Sequence, residues 1–262
     1  MLLNLTPMAH MGAVTLYGLA LALSLAGLFA RLPLLERAGW AAAALGLATQ
    51  VGLLAARWVA VGYLPVTGLF STLHFLSMWV MAVALYFGVR YRAAPFLPAA
   101  LCLALAALTG ASQGSMELFP LTPALDTPLF LLHVATSFAA YGLFGVAALL
   151  AVYRIAGVPA SRGGWDRRML DECLYIGYVL FTWCMIAGSL WAFLAWGSYW
   201  TWRIKGLWST ILWFYYSAVI HVRHRPGWQG WPVNLLAIAG FGLVLFTFLG
   251  LGLLFETSHP LS

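Results

Sequence analysis

Two groups of residues in this chain carry chemical potential. One is a run of flat rings beside cations: Trp196, Tyr199, Trp200, Trp202 and Trp208 surround Arg203 and Lys205, the only charges between residues 194 and 208. The other is the set of histidines, His10, His74, His133, His221, His224 and His259. Aromatic faces make walls for a planar ligand. Guanidinium and ammonium groups hold carboxylates, and neutral imidazoles ligate metals. Interfacial tryptophans with a neighbouring basic residue are also ordinary membrane anchors, and the stretch alone fits either use.

What the stretch can do depends on where the chain places it. The 262 residues are 63% hydrophobic and 8% charged, with a mean hydropathy of +0.92. A soluble domain carries about 25% charged residues, so this is a polytopic membrane protein of the all-α class. Apolar runs near twenty residues have the length that crosses about 30 Å of hydrocarbon as helix. The short alternating segments of a membrane β-barrel are not seen. Eight helices are expected, near 9–30, 39–60, 70–89, 95–111, 129–153, 172–194, 207–222 and 233–255, in one membrane domain spanning 1–262. The first run lacks the basic flank and cleavage site of a signal peptide and reads as a retained helix.

Ten arginines follow the first, third, fifth and seventh helices: Arg31, Arg37, Arg90, Arg92, Arg154, Arg162, Arg167, Arg168, Arg223 and Arg225. The positive-inside rule makes that side cytoplasmic. Both termini and the 194–208 stretch then face outward. The net charge of +6 is accounted for by these loops and needs no nucleic acid. Cys102, Cys173 and Cys184 lack metal or redox spacing and read as packing residues. No Ser/His/Asp set, zinc cluster or phosphate-binding glycine loop is present in the sequence.

Histidine is rare in membrane spans and usually functional there. His133 falls in the first turns of the fifth helix, and His259 follows the eighth, both at the outer level of the tryptophan-rich stretch. Two neutral imidazoles on opposite faces of a haem supply both axial ligands of its iron. Trp196, Trp200 and Trp202 would form the wall, and Arg203 and Lys205 would pair with propionates. His221 lies a membrane thickness away, at the inner end of the seventh helix, where it would serve a separate site. His10 is expected at the surface near the start of the first helix, and His224 in a solvated inner loop.

Several segments together resemble the CcsA (ResC) family of cytochrome c assembly proteins, related to CcmC. Its tryptophan-rich hallmark has the form WGxxWxWDPKExW, matched here by Trp196, Gly197, Trp200, Trp202, Lys205 and Trp208. "HVRHRPGWQG" resembles the family's H-x-R followed by G-W-x-G, with His221, Arg223, Gly227, Trp228 and Gly230 in place. "GYLPVTGLFSTLHFLSMW" and the stretch around His133 also resemble family segments, so the likeness covers about residues 57–259. The chain departs at Arg203, Ile204 and Gly206, where the hallmark has Asp, Pro and Glu. It departs again at Phe70–Ser71, where the family has Tyr-Glu, and at His74, where it has an apolar residue.

The resemblance implies a haem-handling protein of a bacterial cytoplasmic membrane. His133 and His259 would ligate haem b on the outer face, and His221 would help take it in from the cytoplasmic side. It implies a CcsB (ResB) type membrane partner and an apocytochrome c acceptor, the chain being at most one part of a haem lyase. The departures leave two other readings open: a HemX-like regulator of tetrapyrrole synthesis, and a haem-bearing subunit of a larger membrane complex.

Overall fold

A computed structural model describes residues 5–118, 120–157 and 164–250. His259 therefore lies outside the described residues. Within them the chain is helical throughout: α1 (Thr6–Ala30), α2 (Pro33–Val61), α3 (Gly68–Tyr91), α4 (Leu97–Ala111), α5 (Pro128–Ile155), α6 (Trp165–Trp196), α7 (Ile204–Arg223) and α8 (Trp231–Leu245). A 3-10 turn (Ala94–Phe96) precedes α4, and a π turn (Phe246–Gly250) continues α8. Five of the eight helices carry proline in their first two positions, where the missing N–H has no intrahelical acceptor in any case. Thr127 caps α5, its Oγ1 accepting from the Phe130 amide at 3.2 Å.

Six helices are long and apolar enough to cross a membrane: α1, α2, α3, α5, α6, and α8 with its π turn. The other two of the eight expected spans fall short for different reasons. α4 has 15 residues, about 22 Å of helix against a hydrocarbon core of about 30 Å. α7 has the length, but Ser209, Thr210 and Ser217 dilute its apolar run. Several helices also outrun the apolar windows. α2 starts at Pro33 and α6 at Trp165, because polar turns continue the helix beyond the hydrophobic stretch.

The chain divides into two compact units, the boundary falling between Pro120 and Leu121 in the sequence. In the first, α1 packs along α2 and α4, and α3 packs along α4. Tyr17 of α1 is fully buried, its ring against Gly46 of α2. Its hydroxyl donates to Gln50 Oε1 at 2.5 Å, and Gln50 Nε2 donates to the His74 carbonyl at 3.3 Å. His10 is buried, against the expectation of a surface residue. Its Nε2 meets Ser112 Oγ at 2.9 Å, and its ring lies among Phe70 and His74. The packing of α1 on α4, with Phe70 and His74 of α3 beside the ring, encloses a position that the sequence places at a helix start.

The second unit is built around α5, which packs on α6 and α8. Phe144 of α5 stacks on Tyr216 of α7, centroids 3.6 Å apart and 9° from parallel. One end of this unit is tied by polar links. Arg154 Nη1 pairs with Asp166 Oδ2 at 2.6 Å, and its Nε donates to Asn234 Oδ1. Arg223 pairs with Asp171, Arg167 donates to Gln229, and the Tyr175 hydroxyl meets His224 Nε2. These links fix the ends of α5, α6, α7 and α8 where the arginine-rich loops leave the helices. His221 sits among them, and the tryptophan-rich stretch joins the opposite ends of α6 and α7.

Candidate functional site

His133 lies in the second turn of α5. Its Nδ1 donates to the Cys184 carbonyl of α6 at 2.9 Å, with Cys184 Sγ at 3.3 Å. A carbonyl only accepts, so Nδ1 carries the proton and Nε2 holds the lone pair. Nε2 has no hydrogen-bond partner among the described residues. This is how a protein presets a histidine for a metal: one ring nitrogen is anchored, the other is left free to ligate.

The ring can sit there because Gly188 of α6 has no side chain. A Cβ at 188 would stand 2.6 Å from His133 Nδ1. One turn further on, Trp191 stacks on the His133 ring, centroids 6.2 Å apart and 19° from parallel. Trp191 is 4% exposed, and its Nε1 donates to the Ala124 carbonyl at 2.6 Å. Cys184, Gly188 and Trp191 are spaced i, i+4, i+7 and so present one face of α6 to α5. Apart from Cys184, read as a packing residue, the sequence reading passed over this face. The signal was available in that spacing, ending on a tryptophan just before the aromatic stretch.

From Trp191 the aromatic series continues toward the end of α6. Trp196, the last residue of α6, meets Trp191 edge-on at 4.8 Å. The Arg203 guanidinium lies 5.8 Å from the Trp196 ring centre. The intervening loop folds back on α6, with Tyr199 stacked on Phe193 at 4.2 Å and Ser189 Oγ donating to the Tyr199 carbonyl. Trp200 meets Trp202 edge-on at 6.2 Å, and Trp202 is 77% exposed. Gly206 lies under the loop, where a Cβ would come 2.8 Å from the Thr201 carbonyl. Lys205, two residues ahead of the apolar run of α7, is half-buried, and burial pushes its ammonium down to about 8.

The residues expected at the outer site are thus brought together in part. His133, Trp196 and Arg203 join through Trp191, and Trp200 and Trp202 form a second aromatic pair on the same loop. His221 is set apart. It lies seventeen residues beyond Ile204 on α7, about 25 Å along the helix axis. It is exposed, and its Nδ1 donates to the Ser217 carbonyl one turn back at 2.7 Å. Here too the second nitrogen is left as an available lone pair. His224 is exposed, as expected.

Residues 63–259 match the cytochrome c assembly protein family. The chain is similar to the cytochrome c biogenesis protein CcsA of Gloeobacter violaceus, 30% identical over 96% of this chain and 92% of that one. It is 28% identical to the CcsA of Thermosynechococcus vestitus over 88% of this chain and 89% of that protein. Among solved structures it resembles the cytochrome c haem lyase CcmF, with a TM-score of 0.75 at 17% identity. That match covers 98% of this chain and 48% of the solved one, so the chain spans about half its length.

Proposed function

Because the chain belongs to the cytochrome c assembly protein family, we propose that it handles haem b during cytochrome c biogenesis. It takes haem from the cytoplasmic side of a bacterial membrane near His221 and presents it at the outer face between His133 and His259. The observation that carries this reading is the preset His133: Nδ1 anchored on α6, Nε2 free, and a stacked tryptophan behind the ring. Together with the Trp196 ring and the Arg203 guanidinium, this is a donor set suited to iron, a flat macrocycle and its carboxylates.

In this reading all eight helices cross the membrane, with both termini outside. α4 and α7 are carried across by packing against longer neighbours. His133 and His259 are the axial ligands of the outer haem, and the order α6–loop–α7 brings Trp196, Trp200, Trp202, Arg203 and Lys205 to its edge. The haem supplies the vinyl groups to which cysteine thiols of an apocytochrome c add. The chain's own part is to bind, orient and shield. Trp191 and Trp196 keep water from the ring face of His133, and the carbonyl of Cys184 holds its proton on Nδ1. His221, exposed on its helix, is completed by a histidine of a CcsB-type membrane partner.

One observation favours a second reading. Arg203, in place of the hallmark aspartate, lies over Trp196. A fixed guanidinium binds propionate more firmly than an acidic residue would. Firm retention suits a haem-bearing subunit that passes electrons rather than haem.

Replacing His133 and His259 together with alanine tests the site. The protein, purified with its haem, should lose a low-spin bis-histidine spectrum, and cytochrome c maturation should fall to background. A normal spectrum in the double variant would overturn the outer site. Loss of the spectrum with maturation intact would favour the second reading.

A further inference from the structure

Arg57 of α2 is a cation without a counter-charge. It is 4% exposed. Its guanidinium donates to the Met116 carbonyl at 2.9 Å, to Ser71 Oγ at 3.4 Å and to Thr6 Oγ1 at 3.5 Å, and it lies 5.1 Å from the Phe70 ring centre. All four partners are neutral. No acidic side chain pairs with Arg57 among the described residues. A charge withdrawn from water without an opposite charge is costly, and proteins that keep one generally provide its partner.

A second unmet group stands beside it. His74 of α3 is 6% exposed, and its Nε2 is buried without a hydrogen-bond partner. Arg57, Ser71 and His74 line one cavity between α2 and α3. Its volume is about 10 Å³, room for roughly one water-sized atom. Ser71 Oγ accepts from Arg57, so its own proton is free to point inward. The polar side of the cavity therefore offers an arginine N–H, a serine O–H and one unpartnered imidazole nitrogen, and carries no negative charge. The rest of the wall is apolar, with Leu53, Leu54 and Met78 among it.

We infer that this cavity is a binding site for one anionic atom: a small free anion, or a single oxygen of a phospholipid phosphate. Charge decides the class. A water molecule satisfies His74 but leaves Arg57 unneutralised, and a metal cation is repelled by it. Size decides the mode. A whole phosphate exceeds the cavity, so only one of its oxygens enters. The apolar wall and the half-buried Leu54 and Met78 suit a lipid whose chains lie along α2 and α3. The inference stands apart from the haem reading, since none of its residues belongs to the outer or inner histidine site.

The test uses the full chain in detergent, stripped of lipid, with thermal unfolding followed at constant ionic strength. Sodium gluconate is exchanged for chloride or inorganic phosphate. In parallel, phosphatidylglycerol is compared with a diacylglycerol of the same chains. A rise in Tm with phosphatidylglycerol but not diacylglycerol assigns a lipid phosphate. A rise with chloride or inorganic phosphate assigns a free anion. Arg57→Gln should remove either response. Ser71→Glu, which puts a carboxylate into the cavity from the chain itself, should keep the fold and weaken anion binding by roughly tenfold or more. Should Arg57→Gln fail to fold, Ser71→Glu decides. The inference is overturned when no anion or phospholipid moves the wild-type Tm, or when Ser71→Glu responds as the wild type does.

Discussion

The His133 ring and the Trp191 ring lie 19° from parallel, with centroids 6.2 Å apart. The pair joins α5 to α6 and sets the direction in which His133 offers its free nitrogen. Much of the proposed chemistry depends on keeping that imidazole in place.

Gly188→Ala probes it without touching a ligand. The new Cβ would stand 2.6 Å from Nδ1, and relieving that overlap costs about 1–3 kcal/mol. The variant should fold with a lower Tm and a reduced haem-to-protein ratio. Gly18→Ala on α1, where no atom lies within 4 Å, should leave both unchanged. Haem content that falls equally in the two variants would count against the placement of His133.

Lys205 is the only lysine in the chain. Its folded-state ammonium titrates near 8 because it is half-buried, whereas in the unfolded chain it titrates near the ordinary 10.5. Between those values the unfolded state holds more protons, so Lys205 makes stability rise with pH from about 8 to 10.5 and contributes no such slope below. Lys205→Gln should flatten the slope. In spheroplasts, a membrane-impermeant amine reagent should modify Lys205 from outside, increasingly above pH 8. Modification only after lysis would reverse the proposed orientation.

His221→Ala should abolish cytochrome c maturation while the haem spectrum attributed to His133 remains. Exogenous imidazole should restore part of the maturation if the lost group is a ligand. Restoration is not expected if the side chain acts only through its bond to Ser217. Unchanged maturation in the alanine variant would remove His221 from the pathway.

Arg203→Asp restores the residue type of the hallmark. Arg203 is exposed, so the lost propionate contact is worth about 1 kcal/mol, close to fivefold in haem retention. The axial spectrum should be unaltered and haem should leave faster. Slower loss would mean that the cation plays no part in holding the ligand.

Helix existence was readable because most of the apolar runs are long, and even the short run of α4 and the diluted run of α7 are set off by polar or proline-bearing turns. Helix ends were less so: the window that opens α6 at residue 172 misses the turn containing Trp165 and Asp166, which is polar yet anchored by Arg154. Among site residues, His133 and His221 stand out as polar groups in apolar runs. Trp191 does not, since a tryptophan in a membrane helix is unremarkable until its neighbour is known. The burial of His10 was hidden for a similar reason, being decided by Ser112 some hundred residues away. Arg57 stands near the end of an apolar run, from where a long side chain can reach the membrane surface, yet it is buried. Its contacts with Ser71, Met116 and Thr6 depend on three separate segments that no local pattern connects.

The Tyr17–Gln50–His74 connection bears on the order in which the chain enters the bilayer. When α1 and α2 have been inserted, Tyr17 can already donate to the Gln50 carbonyl oxygen. The Gln50 amide nitrogen still lacks its acceptor, because that acceptor is the backbone of α3. A bare amide in hydrocarbon is unfavourable, so the nascent hairpin carries an unmet demand that only the third helix meets. A chain arrested after α2 should remain exposed to membrane quality control, and one arrested after α3 should not. Gln50→Leu combined with Tyr17→Phe, which removes the amide and the hydroxyl that depends on it, would remove the distinction, letting the hairpin settle early without waiting for its successor.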